Sequence, residues 1–473
     1  MMSESPSARN SEISPDRQEQ ILYRTASICP RCAILDSKGI VQVEGVVIER
    51  NHRVYLRDTL YCSDSDFFKK TLKFSFELPG AEIPMKFRDI EDLNSRSQYN
   101  SQSTNSPFAL ELSLWEDSAF VSDDEIADRV RYFKTLYPPD RQFVLKVLGR
   151  LCDDMDVLNR KTLYVSSLLE GHPIILEASY ERLSVIARME DSVLLRASIF
   201  PAIKYYLKAD DEKRCQEELT QLFSVLKGFS DMQLMVTLCV SRPYPDMSSL
   251  LRFLREQYGF IRIIVVSMES CEEIEKKLEN GIPLNTIESH DVIELMSHIQ
   301  KCTYNSLTTE DFHPVSLTSL MEPFLNIMGY GHYFIRPSPY CGYITCLVNT
   351  EKLFTSYPVT RLFDFEQIFE EMKPILPRLQ DGKVGFYNAN KLRKVFMRAQ
   401  NANKGPLPDL YVYLTDKSKA AETRDFLQNL QFFVVHNNMD ISSIDLVRRC
   451  NCALATHASG NNEKLIACCT GCL

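Results

Sequence analysis

The sequence predicts an α/β fold, and three observations carry that reading. Between residues 108 and 300, apolar runs of strand length recur at 108–115, 143–148, 173–176, 193–195, 234–240 and 261–266. Segments with helical spacing of apolar residues, such as 211–227 and 247–258, lie between several of them. Ser122 to Glu125 forms a capping box, a serine whose hydroxyl can accept from the backbone three residues on, and it opens a helix with Ile126, Val130, Phe133 and Leu136 on one face. Strand, helix, strand repeated in this way favours a β/α barrel or an open α/β sheet over a sandwich or a bundle.

Residues 1–20 are polar and poor in large apolar side chains, which predicts a disordered tail. From 21 to 75 the chain reads as a small cysteine-bearing module, with strands at 41–48 and 53–56 and a hairpin between Cys32 and Cys62. Residues 94–107 are a polar, aperiodic stretch expected to link this module to the α/β core at 108–300. Pro138 and Pro139 stop the first core helix. After 300 the pattern loosens into a region running to 473, with a later β/α piece (strand 410–414, helix 416–430, strand 432–435) before a cysteine-rich end.

Composition excludes several classes. Lys plus Arg number 54 against 63 Asp plus Glu, a net charge of -9, which argues against a general nucleic-acid binder. The apolar stretches fall well short of the ~20 residues that a membrane helix needs. The first residues carry acid and serine where a secretory signal would be basic and then apolar, so a cytoplasmic location is expected. The chain has no GxGxxG, no GxxxxGK[ST] and no HExxH, the usual marks of dinucleotide, P-loop and zincin chemistry.

Fifteen cysteines in such a chain are better read as buried thiols or metal ligands than as disulfides. Cys29-Pro30-Arg31-Cys32 lets two thiolates hold one ion, and Cys62 is a candidate third ligand. The next oxygens are Ser63, Asp64 and Ser65, so the set suits zinc or a single iron, the alternative being three free thiols. The thioredoxin reading of this CxxC is weaker, because no βαβ unit surrounds it. At the other end Cys450, Cys452, Cys468, Cys469 and Cys472 are enough for zinc or an iron-sulfur cluster, against a terminal tail binding nothing. Thr470 at the fourth position from the end excludes a prenylation box. The eight histidines are scattered and the paired acids read as helix starts, so no residue is assigned a catalytic or cofactor-binding role.

Taken in order, these pieces resemble the radical SAM superfamily, in its tetraether-lipid-synthase-like group. The resemblance begins with Ile28 to Cys32, Arg53 to Arg57 and Cys62, similar to that group's N-terminal rubredoxin-like knuckle. It resumes with Glu310 to Pro314, Ser338 to Gly342 and Pro358 to Asp364, and ends with Met439-Asp440, Asp445 to Cys450 and Lys464 to Cys469. It implies a partial β/α barrel of the TIM type, with the closing segment against the barrel mouth. Cys341 would then join Cys450, Cys452, Cys468 and Cys469 as a metal candidate.

The sequence departs from that family where its chemistry resides. Radical SAM chemistry needs CxxxCxxC after the first barrel strand, but no cysteine lies between Cys62 and Cys152. The Gly-Gly-Glu segment after the next strand is replaced by Gly149-Arg150-Leu151. Ser65 stands where the family's knuckle has His or Cys, and Ala453 where its closing motif has His. The resemblance therefore implies a pseudoenzyme, still able to carry metal at its terminal cysteine sites, that scaffolds or regulates a protein partner and does not bind S-adenosylmethionine. The alternative is an active enzyme on lipid or other unactivated carbon, its cluster held by C-terminal cysteines. With Ala453 in place of histidine, Cys468 to Cys472 are expected to hang free.

Overall fold

The computed structural model describes residues 20–28, 35–51, 59–75, 107–116, 119–137, 141–149, 152–169, 171–229, 232–268, 291–322, 333, 335, 337–349, 356–374, 391, 394, 395, 398, 399, 429–438, 445, 448, 452–458 and 461–468. Residues 1–19, 53–56 and 94–106 and the strand expected at 410–414 lie outside the described residues, as does all but the end of the helix expected at 416–430.

The N-terminal module is an antiparallel sheet of β1 (Gln20–Ile28), β2 (Leu35–Val43), β3 (Val46–Asn51) and β4 (Thr59–Cys62), in that spatial order, followed by helix α1 (Ser65–Lys73). The alternating run 41–48, which reads as one strand, is two strands joined by a tight turn at Glu44 and Gly45, with φ of 50° and 82°. A two-residue turn keeps the apolar alternation in phase across the reversal, so periodicity does not reveal it. Positive φ at both turn positions matches the twist of a hairpin and explains the glycine. Asp64 caps α1 by accepting from the backbone of Asp66 and Phe67. Ile40, Val47, Cys62 and Phe68 form the module's core together with Tyr340 from the far side of the chain.

The larger body starts with β5 (Ala109–Ser113), a short hairpin of β6 (Trp115–Glu116) and β7 (Ala119–Phe120), and α2 (Asp123–Thr135). It continues through β8 (Val144–Leu148), α3 (Met155–Leu168), β9 (Ile174–Glu177), α4 (Tyr180–Ile186), β10 (Ile199–Tyr206), α5 (Glu212–Leu226), β11 (Leu234–Val240), α6 (Ser248–Glu256), β12 (Ile261–Met268) and α7 (Val292–Cys302). Then follow β13 (His313–Pro314), β14 (Gly342–Val348), β15 (Tyr357–Pro358), α8 (Phe365–Met372), β16 (Leu430–His436), β17 (Leu454–Ala458) and β18 (Asn461–Ala467). The fold is α/β, built on one large, mostly parallel sheet.

In that sheet β17, β5, β8, β9, β10, β11, β12 and β16 are neighbours in this order and run parallel. Antiparallel strands flank the run, β18 beside β17 and β14 beside β16, and β13 and β15 pair with β14. The sheet crosses the boundary expected at 300, because β14, β16, β17 and β18 all come from the later part of the chain. One face is dry: Leu110, Leu112, Leu145, Val147, Val236, Leu238, Ile264, Val266, Phe433 and Val435 are fully buried. Each such side chain contributes about 1.5–3 kcal/mol relative to exposure, an upper estimate for a partly collapsed unfolded chain.

The helix opened by Ser122 forms as expected, with the serine side chain accepting from Glu125 N and with Ile126, Val130, Phe133 and Leu136 buried. The strand expected at 193–195 does not form. Those residues are a 3-10 turn capped by Ser192, and the strand is Ile199–Tyr206. Three adjacent apolar residues can cover a core in one turn, whereas Pro201 and Lys204 break the apolar run of the true strand.

Candidate functional site at the carboxyl end of the parallel strands

The second face of the sheet carries the charge. Glu111 on β5 and Lys146 on β8 are register partners, and Glu177 ends β9. Lys146 Nζ lies 3.1 Å from Glu111 Oε2 and 2.9 Å from Glu177 Oε2, a bridge between two carboxylates. All three are largely withdrawn from water, with side-chain exposures of 19%, 13% and 7% for Lys146, Glu111 and Glu177. Burial works against the ammonium, but the two carboxylates more than offset it and hold the Lys146 pKa above the ordinary lysine value.

Around this bridge lie residues from the end of the chain. Cys468 Sγ is 3.6 Å from Glu111 Oε1, and burial followed by that carboxylate pushes its thiol well above the usual value. Cys468 is thus a protonated donor packed against the sheet. This corrects, for that residue, the expectation of cysteines hanging free; the reason is that β18 pairs with β17 and so carries the chain back to β5. Cys452 donates to Leu454 O at 3.0 Å. It also raises the thiol pKa of both Cys341 and Cys468, so it lies within electrostatic reach of each.

His436 ends β16 beside Ser267 of β12 and Gly342 of β14. Burial, then the cations of Arg448, Lys146 and Lys204, lower its pKa to about 4, so near neutral pH the imidazole is uncharged. Arg448 is 3% exposed, bonds to the Asn437 carbonyl and sits beside Cys341. Asp445, fully buried, accepts from Arg448 N at 3.0 Å, Thr25 Oγ1 at 2.8 Å and Tyr23 OH at 3.3 Å. Tyr340 stacks on Phe68 at 5.3 Å, and the Thr71 and Tyr343 hydroxyls meet at 3.1 Å. The N-terminal module is therefore docked on the residues next to the site.

Of the metal candidates, Cys62, Cys341, Cys452 and Cys468 are described, and Cys29, Cys32, Cys450 and Cys469 lie outside the described residues. Cys62 is buried in the module core, its thiol directed at Asp64 O at 3.2 Å and pushed by burial up to about 12. Of the other three, Cys452 acts electrostatically on both Cys341 and Cys468. Among the described residues no three His, Cys, Asp or Glu side chains converge on a common metal position.

Cysteine spacing did not point to Glu111, Lys146, Glu177 or His436. Their signal is a lone charged or polar residue inside an apolar strand, as in ALELS and VLKVL. A second group has no signal in the cysteine spacing either. His298 and Cys302 lie one turn apart on α7, with Sγ 3.4 Å from Nε2, while Nε2 contacts Pro245 O at 2.8 Å and Cys302 reaches toward Asp246 at 3.8 Å. These contacts fasten the loop before α6 to α7. Among the described residues no helix is long and apolar enough to cross a membrane. No protein-family model matches the chain, and no curated protein matches it.

Proposed function

We propose that the chain is a degenerate relative of the radical SAM superfamily, of the tetraether-lipid-synthase-like group, with a partial TIM-type β/α barrel, a rubredoxin-like N-terminal knuckle and a cysteine-rich C-terminal extension. In this reading it has lost cluster and cofactor binding and serves as a cytoplasmic, non-catalytic scaffold or regulator of a protein partner.

The observation that carries the proposal is the connection from β5 to α2, where that superfamily needs three thiolates. Here the connection is a short hairpin in which Trp115 and Phe120 meet edge to face at 4.8 Å, and Glu116 is gripped by Arg129 at 2.6 and 2.8 Å. A bidentate guanidinium pair of this kind fixes the hairpin as structure. Gly149, the remnant of the glycine-rich segment, is explained by packing. A Cβ there would come within 3.0 Å of Leu158 Cδ2, and its N–H donates to Glu177 O at 2.8 Å. Glu111, Lys146 and Glu177 on this face of the sheet are engaged with one another, which supports a site given over to structure.

Calorimetry with S-adenosylmethionine on anaerobically reconstituted full-length protein tests the proposal. No binding is expected, and micromolar binding would overturn it.

One observation favours a second reading, a metal-bearing enzyme acting on lipid or other unactivated carbon. Cys452 acts electrostatically on both Cys341 and Cys468, which places three of the candidate thiols in one neighbourhood. Iron, zinc and sulfide analysis of anaerobic wild-type and Cys452→Ser protein separates the readings. Iron and sulfide in cluster proportion, lost with Cys452, support the enzyme, whereas zinc or a single iron is compatible with the scaffold.

A further inference from the structure

We propose that the half-open face of the large sheet is a binding trough for a small molecule with one carboxylate and an apolar body, the carboxylate being anchored by Lys204. The register sets Lys204 beside Thr237, Thr237 beside Val265, Val265 beside Val434, and Val434 beside Ile344, a row across five neighbouring strands. All five are half-buried. One position along, on the opposite face, Val236, Ile264 and Phe433 are fully buried. The asymmetry is consistent along the row. In a small closed barrel the inward side chains would fill the interior and shut out solvent. Here the inward row keeps surface, and that surface is apolar except at its Lys204 end and for the Thr237 hydroxyl.

Lys204 differs from Lys146. Its ammonium lies over the Tyr206 ring, 4.8 Å from the centroid, and Glu177 acts on it electrostatically without forming an ion pair. An anion attached to an apolar body satisfies both halves of this surface, since the charge meets the ammonium and the body covers the row of valines and Ile344. The anion is a monoanion. Glu177 acts on Lys204 as well as on Lys146, so the Lys204 end carries little surplus positive charge, and one negative charge suits it better than the two of a phosphate ester. This trough is independent of the S-adenosylmethionine question, because it rests on the exposure of β10, β11, β12, β16 and β14 and not on the β5 connection.

The test is calorimetric titration of the full chain with decanoate, with 3-phenylpropanoate and with neutral decanol. At least one acid is expected to bind, and decanoate more tightly than decanol by about tenfold, the worth of one charge-assisted contact. Lys204→Gln should weaken the acid by a similar factor and leave decanol unchanged. Preference between the two acids tells whether the natural ligand is a long aliphatic or a compact aromatic acid. The proposal is overturned if neither acid binds, if wild-type protein takes acid and alcohol equally, or if Lys204→Gln keeps the wild-type affinity for the acid.

Discussion

Thr25 donates its hydroxyl to Asp445 at 2.8 Å, joining residues 420 positions apart and fastening the first strand of the N-terminal module to the segment beside Cys341. Asp445 is fully buried and also accepts from Tyr23 and from the backbone of Arg448. Thr25→Val keeps the shape of the side chain and removes the donor. The expected cost is about 1–3 kcal/mol, because a buried carboxylate loses a hydrogen bond that water cannot replace. Urea unfolding gives the loss, and limited proteolysis should show earlier cleavage between the module and the large sheet. Unchanged stability and cleavage would remove Thr25 from this role.

Lys146 is the hinge of a three-charge group, and its removal should be worse than removal of either acid. Lys146→Met leaves Glu111 and Glu177 facing each other in a poorly hydrated site, with an expected loss of about 3–5 kcal/mol. Glu111→Gln leaves Lys146 its contact with Glu177 and should cost less than half as much. Equal losses in the two variants, read from chemical denaturation, would contradict the bridging geometry.

His436 makes stability depend on pH in a definite direction. Its native pKa is lowered to about 4 by burial and then by Arg448, Lys146 and Lys204, against about 6.5 for an unfolded histidine. The unfolded chain therefore takes up the proton first. The contribution is intact above pH ~6.5 and is lost as pH falls toward about 4. His313, also lowered to about 4 by burial, acts in the same sense, so wild type alone does not isolate one residue. His436→Gln should narrow the stability difference between pH 7.5 and pH 5 by roughly 2 kcal/mol, measured by urea titration at both pH values. An unaltered difference counts against the assignment.

Gly342 is fixed by a close approach of backbone to backbone. A Cβ there would lie 2.6 Å from the carbonyl oxygen of Val435, so Gly342→Ala must push β14 away from β16. A loss of about 1–3 kcal/mol is expected, typical of overpacking a filled site. Hydrogen exchange should report it as faster opening of the amides of Tyr343 and Val435 than of those in β8.

The parts of the fold that were legible in the sequence are those where one periodicity governs. Leu110 and Leu112, Val236 and Leu238, and the face of α2 from Ile126 to Phe133 each display their burial in their spacing. The strand Ile199–Tyr206 was hidden by Pro201 and Lys204, and the 193–195 turn resembled a strand because three adjacent apolar residues carry no period. The turn at Glu44 and Gly45 stayed invisible because it preserves the alternation on both sides. The site was less legible than the fold. Glu111 and Lys146 are visible as isolated charges in apolar strands, but their pairing is a property of register, and Asp445 acquires its role from contacts with Thr25 and Tyr23 that local sequence cannot encode.

The pairing of Leu454 to Thr456 with Ala109 to Glu111 also sets a timetable for biosynthesis. As the ribosome releases the chain, β5 finds β8 early, yet its other edge has no partner until β17 has been made. At ~10 residues per second that interval is on the order of half a minute. A nascent chain with an unpaired strand edge is a template for misassociation with its neighbours on the same messenger. Late pairing also means that the surroundings of Glu111, with Cys468, are assembled only after the rest of the sheet exists.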